Sequence, residues 1–163
     1  MGNWHIRKFT NRDINQMISL FYQTVHSVNA KDYTKEQLDA WAPLEEIEQM
    51  ASAWLDSFQD HMTYVAEFKD TIVGFSDMTD TGYLDRLYVH KDYQNLGIAT
   101  SLVQKLESEA VKMQVEVIYT DASITAKPFF QHIGYIIEST QTVVRRGTSL
   151  VNYKMKKRLA LYE

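Results

Sequence analysis

The 163-residue chain contains no cysteine, which removes disulfides, cysteine-ligated zinc and a thiol nucleophile at once. Two prolines and six glycines are all that punctuate it. No linker, low-complexity tract or internal repeat divides it, so one continuous domain over residues 1–163 is expected. No stretch approaches the ~18 consecutive apolar residues of a membrane span, and Met1–Lys8 lacks the apolar run of a signal peptide. A cytoplasmic protein is therefore expected, with no membrane partner. A net charge of −4 argues against non-specific nucleic-acid binding. None of the five histidines stands at a metal-ligand spacing from another histidine or a carboxylate, and no metal is expected.

What is present is ordinary for a globular core, with 45% hydrophobic and 23% charged residues. The charge is unevenly spread. Residues 1–80 hold 13 Asp and Glu against 6 Lys and Arg, and the remainder holds 8 against 11. An uneven solvated surface produces such a split, and so do two ligands of opposite sign.

Periodicity divides the chain into short elements. Trp4–Lys8 reads as a strand. Asp13 stands where it can cap a helix whose apolar positions are Ile14, Met17, Ile18, Phe21 and Val25. Thr34 and Gln37 form a capping-box pattern before a second helix that stops at Pro43. Leu44–Phe58 continues at helical spacing. The period then changes to two through Met62–Phe68, Thr71–Met78 and Tyr83–Val89. Ile98–Met113 is an amphipathic helix, Val115–Thr120 a β-branched strand, and residues 124–133 a helix ending at Gly134. Tyr135–Val144 and Leu150–Met155 form a last hairpin. The order β-α-α-α-β-β-β-α-β-α-β-β predicts an α+β domain. Its sheet is mixed, mostly antiparallel and of about seven strands, flanked by helices, and it is not doubly wound.

The most informative segment joins the Tyr83–Val89 strand to the helix at Ile98 through Gln94-Asn95-Leu96-Gly97. A loop opening directly into a helix leaves the first-turn amide groups without partners. Such an end suits a phosphate or pyrophosphate. Neither the Walker A pattern nor the dinucleotide fingerprint is present.

Gln94, Gly97 and Ala99 match an Arg/Gln-x-x-Gly-x-Gly/Ala motif, preceded by Leu87-Tyr88-Val89 at the strand end. Downstream, Ser123, Ala126 and Gly134-Tyr135 match an Asn/Ser-x-x-Ala helix ending in Gly-Phe or Gly-Tyr. In these two motifs the chain resembles the GNAT superfamily of N-acetyltransferases, in a branch of small bacterial proteins. The order of elements matches that fold over essentially the whole length.

The resemblance implies transfer of an acetyl group from acetyl-CoA to a primary amine of a small molecule or peptide, in a protein of a family that often dimerises. It places the cofactor against Leu87, Tyr88 and Val89. The pyrophosphate would meet the amides of Asn95, Leu96, Gly97, Ile98, Ala99 and Thr100, and the pantetheine arm would meet Ser123, Ala126, Phe129 and Phe130. Asp85 holds the position where many relatives carry a glutamate base, and on an alternating strand it shares a face with Tyr83, Leu87 and Val89. Tyr22, His26, Tyr33, Trp41 and Tyr64 are candidates for the acceptor wall. The acidic first half carries that wall and hints at a cationic acceptor.

Two departures stand out. Gln94 replaces the commoner arginine and forgoes a charge near the phosphates. Phe130 stands where many relatives have a tyrosine that serves as general acid. A second reading is therefore an acyl-CoA-binding module that turns nothing over and acts as a sensor or partner subunit.

Overall fold

In the computed structural model residues 3–160 are described; residues 1–2 and 161–163, the ends of the expected domain, lie outside the described residues. Seven strands form one sheet. β1 is Trp4–Lys8, β2 Met62–Phe68, β3 Thr71–Met78, β4 Tyr83–Val89, β5 Val117–Ser123, β6 Ile136–Arg145 and β7 Thr148–Arg158. They lie in the order β1-β2-β3-β4-β5-β7-β6. All neighbours are antiparallel except β4 and β5, which are parallel. Five helices cover the sheet: α1 (Ile14–Ser27), α2 (Lys35–Trp41), α3 (Ile47–Asp60), α4 (Ile98–Lys112) and α5 (Lys127–His132). The expected order of elements is the observed one.

Each face of the sheet carries its own core. On one, Leu102, Val103 and Leu106 of α4 pack with Met78, Leu84, Ile118 and Phe130. On the other, Met17, Phe21 and Val25 of α1 and Phe58 of α3 pack with Val65 and Phe75. α1 and α4 present apolar residues at intervals of three and four, so one stripe of each is removed from water.

Local chemistry sets the helix starts. Thr34 accepts from Gln37 N–H while the Gln37 side chain accepts from Thr34 N–H, the expected reciprocal cap of α2. Asp13 behaves differently from its expected role. A 3-10 turn over Asn11–Asp13 precedes α1, and the Asp13 carboxylate turns back to accept from Thr10 N–H and the Arg7 guanidinium. Asp13 thus ties β1 to the turn instead of capping the helix. α5 begins at Lys127, later than expected, because β5 runs on to Ser123 and the Ser123 hydroxyl accepts from Ala126 N–H.

Gly82 explains how the sheet changes partners. It has φ +97°, and a Cβ there would stand 2.7 Å from the Val117 carbonyl oxygen. Only glycine allows the β3–β4 turn to touch the start of β5. Tyr119 N–H then donates to Gly82 O.

Candidate active site in the fork of the sheet

β4 carries one residue more than its neighbour can pair. Asp77 lies opposite Arg86 and Met78 opposite Leu84, which leaves Asp85 unmatched. This is a β-bulge, and it shifts the two-residue period of the strand by one. Tyr83 and Asp85 before the shift, and Arg86 and Tyr88 after it, line one cleft on the α1–α3 side. Leu84, Leu87 and Val89 join the core on the α4 side. The expected face is corrected accordingly: Asp85 stands with Tyr83, Arg86 and Tyr88, and not with Leu87 and Val89.

Arg86 is held from every side. Its guanidinium lies 4.6 Å from the Trp54 ring centroid and 4.8 Å from that of Phe58. It donates to Asp77 and Ser57 Oγ and comes within 3.5 Å of the Asp85 carboxylate. Asp77 has no exposed surface, and its Oδ2 also meets His61 Nδ1 at 2.7 Å. Burial pushes the Asp77 carboxyl up, against the pull of His61 and Arg86. The Asp77 hydrogen bond raises His61, opposed by burial of the ring. His61, Asp77 and Asp85 bring ligand atoms within 4.8 Å of one another, a grouping their spacing in the chain conceals. The positive charge among them is already supplied by Arg86.

Beside the bulge the sheet forks. β4 and β5 pair only at Tyr83–Tyr119 and Leu84–Thr120. From Asp85 to Val89 the β5 side of β4 has no strand partner among the described residues. The loop after β4 leads to Gly97, which caps α4 with φ +88°. Ser101 N–H makes the first helical bond, to Gly97 O. Ile98, Ala99 and Thr100 are thereby the first-turn residues, whose amides have no intrahelical acceptor. A Cβ on Gly97 would have nothing within 4 Å, so the approach to this end is open. Asn95 also has positive φ. Gln94 does not extend toward the helix end. Its amide donates to Val89 O at 2.6 Å and to His90 O, closing the loop on the strand it leaves.

The other candidates separate into groups. Ser123 lines the cleft, and its hydroxyl holds the β5–α5 turn. Ala126 and Phe129 are half-buried on the α4-side core. Phe130 is 2% exposed, meets the Tyr135 ring edge to face at 5.1 Å between centroids, and belongs to the core. The Tyr135 hydroxyl donates to Glu107 of α4, and burial raises it strongly, so it does not reach the fork. Tyr33 and Trp41 line the cleft. The Tyr33 hydroxyl donates to Val151 O and accepts from Ile124 N–H, bridging β7 to the residue after β5. His26 stacks on Tyr22 and meets Ala42 O at 2.8 Å, fastening α1 to the end of α2 outside the cleft lining. Tyr64 lies in the α4-side core and donates to Glu109.

The cleft encloses about 440 Å³. The lining residues from the first half of the chain are Phe21, Tyr33, Trp41, Met50 and Trp54, none of them charged. The acidic excess of residues 1–80 therefore faces elsewhere, and the carboxylates of the cleft, Asp85 and Asp121, come from the second half. Asp121 accepts from the Tyr83 hydroxyl at 2.8 Å and from Gln141. Burial, reinforced by Asp121, raises Tyr83. Sequence reasoning missed His61, Arg86, Asp121 and Arg145. It had one usable signal for the network, since Asp77 is the only charged residue in Thr71–Met78.

Residues 29–157 match the model of the acetyltransferase (GNAT) domain. The chain belongs to the GNAT acetyltransferase family. It is 31% identical over 156 residues to the uncharacterized N-acetyltransferase YafP of Escherichia coli (strain K12), covering 96% of this chain and 97% of that protein. A crystal structure of a GCN5-related N-acetyltransferase (Aminotransferase, Class-II) from Rhodopseudomonas palustris superposes with a TM-score of 0.89. It is 30% identical, with 98% of each chain covered. The PaiA N-acetyltransferase of Thermoplasma acidophilum, solved in complex with coenzyme A, has the same fold, with a TM-score of 0.79 at 18% identity. That match covers 96% of this chain and 99% of that one. The seven-stranded, mostly antiparallel sheet is thus that of GNAT structures, some solved with coenzyme A or acetyl-CoA. Among the described residues no helix is long and apolar enough to cross a membrane.

Proposed function

We propose that this single-domain protein is an acetyl-CoA-dependent N-acetyltransferase that acetylates a primary amine in the fork between β4 and β5. The observation that carries the reading is the conjunction at one strand. β4 loses its partner at Asp85, bulges there to turn a carboxylate into the cleft, and ends in a loop whose helix has free amides.

The residues present suit the cofactor. The unpaired edge of β4 offers backbone groups to the pantetheine amides, as an added strand would use them. The first turn of α4 offers N–H groups and the positive end of the helix dipole to the pyrophosphate. Gly97 leaves that approach open. With Gln94 spent on the loop, phosphate affinity rests on backbone amides. Acetyl-CoA supplies a thioester carbonyl that an amine attacks, the C–S bond breaking as the C–N bond forms, and a thiolate that takes its proton from solvent. The protein's part is to receive the amine and its proton. Asp85 faces the cleft and takes that proton directly or through water. Trp41, Trp54 and Tyr88 line the same cleft and exclude water from the acceptor. Phe130 offers no proton, so the departing thiolate has no dedicated acid at that position.

The test measures thiol release from acetyl-CoA across a panel of primary amines, together with thermal stabilisation by acetyl-CoA. The reading expects stabilisation, release with at least one amine, and a turnover loss of about 100-fold or more in a folded Asp85→Asn variant. Stabilisation without release across the panel favours a binding module. Unchanged turnover and pH profile in Asp85→Asn overturn the base assignment.

A further inference from the structure

The charged groups of the cleft are not equally committed. Arg86 is neutralised by buried Asp77. Arg146 is bound through two nitrogens to Glu46 and donates a third bond to Ala40 O, which fastens the β6–β7 turn to α2 and the turn before α3. Asp121 accepts only neutral donors in the described residues, the Tyr83 hydroxyl and the Gln141 amide. Arg145 is the remaining cation of the lining. Among the described residues it makes no ion pair and no side-chain hydrogen bond.

Strand alternation sets Arg145 on the cleft side of β6, where it is exposed at the rim. Val143 and Arg145 sit two residues apart on β6 and both line the cleft, whereas Val144 between them is 64% exposed. Arg145 is close enough to Tyr83 and Tyr88, both on β4, to oppose the rise of their hydroxyls. The Arg146 clasp holds the hairpin tip in place while leaving its neighbour free. The cleft therefore has Asp121 with neutral partners only, Asp85 within 3.5 Å of an Arg86 already bound to Asp77, and one uncommitted guanidinium at the hairpin rim. Trp41, Trp54, Met50 and Leu150 supply apolar wall.

The geometry points to an amphoteric acceptor: an amine whose nitrogen meets Asp85, whose body lies on the aromatic walls, and whose own anionic group is held by Arg145. A guanidinium pairs bidentately with a carboxylate, and Arg145, exposed at the cleft rim with no partner among the described residues, is free to make that pair. A polyamine would leave Arg145 facing like charge. The inference rests on the transferase reading for the role of Asp85, but the anion subsite is testable by binding alone.

Two scaffolds with different spacing between amine and anion serve as probes. One is phenylalanine with phenylalaninamide; the other is 4-(aminomethyl)benzoate with its amide. Binding to the coenzyme A-loaded protein is measured by calorimetry for wild type, Arg145→Gln and Arg145→Lys. The expected result is that at least one acid binds about tenfold or more tightly than its amide. Arg145→Gln brings the two to equal affinity, and Arg145→Lys restores part of the difference. Equal binding of acid and amide by wild type, an unchanged ratio in Arg145→Gln, or no binding of either acid at millimolar concentration overturns the proposal. Binding with the expected ratio but without thiol release counts against the transferase reading and leaves the subsite standing.

Discussion

Replacing Asp77 by asparagine keeps the volume of a side chain with no exposed surface and removes its charge. In the wild type, Asp77 Oδ2 meets both the Arg86 guanidinium and His61 Nδ1. The variant leaves Arg86, with its side chain only 14% exposed between Trp54 and Phe58, facing a neutral amide. Stripping one partner from a buried pair costs about 3–5 kcal/mol, because the remaining charge stays desolvated. Asparagine retains one acceptor and Asp85 stands 3.5 Å from Arg86, so the lower end, about 3 kcal/mol, is expected. For a chain of this size that lowers the melting temperature by about 6–12 °C.

Urea denaturation over a pH series measures both the loss and its origin. His61 is raised by its bond to Asp77. Its contribution is therefore complete below the unfolded histidine value of about 6.5 and fades as pH rises through the higher folded value. Wild type loses stability with rising pH in that window, and Asp77→Asn flattens the slope. A cost under about 1 kcal/mol, or an unaltered slope, refutes the reasoning. Replacing both charges, Asp77→Leu with Arg86→Met, recovers part of the loss, since a buried pair can be exchanged for apolar packing.

Two other sites give direct tests. Gly97→Val forces a β-branched residue to φ +88°, at a cost of about 1–2 kcal/mol in stability. It places a side chain where the pyrophosphate would approach, so calorimetry is expected to show coenzyme A binding weakened by about tenfold or more. Tyr33→Phe removes the hydroxyl that serves Ile124 N–H and Val151 O, costing about 1–3 kcal/mol in a denaturation curve. Because those groups lie at the cleft end of β5 and β7, acceptor affinity is expected to fall as well.

The parts of the fold set by local chemistry are legible in the sequence. The Thr34 and Gln37 cap, the amphipathic stripe of Leu102, Val103 and Leu106, and the loop ending at Gly97 each declare themselves within a few residues. The proposed cofactor end of the site is of this kind, being one strand, one loop and one helix start. The proposed acceptor end is assembled from widely separated parts of the chain. His61, Asp77 and Asp85 are ordinary neighbours of nothing in the sequence, and their meeting depends on the pairing of β2 with β3 and β3 with β4. Arg145 gains its meaning only because Arg146 is taken by Glu46.

The bulge at Asp85 joins the two ends. In an unbroken strand Asp85 and Arg86 would face opposite sides, and Arg86 would enter the α4-side core beside Leu84. The extra residue puts both in the cleft and lets Arg86 reach Asp77 on the facing strand. It sits immediately beyond Leu84, the last residue of β4 that pairs with β5. One insertion thus turns the carboxylate, gives it a fixed cationic neighbour, and does so where the strand edge becomes free. Deleting the unmatched Asp85 would restore regular alternation with Leu84 in the α4-side core and Arg86 still opposite Asp77 in the cleft, so the irregularity is what admits the carboxylate beside the arginine.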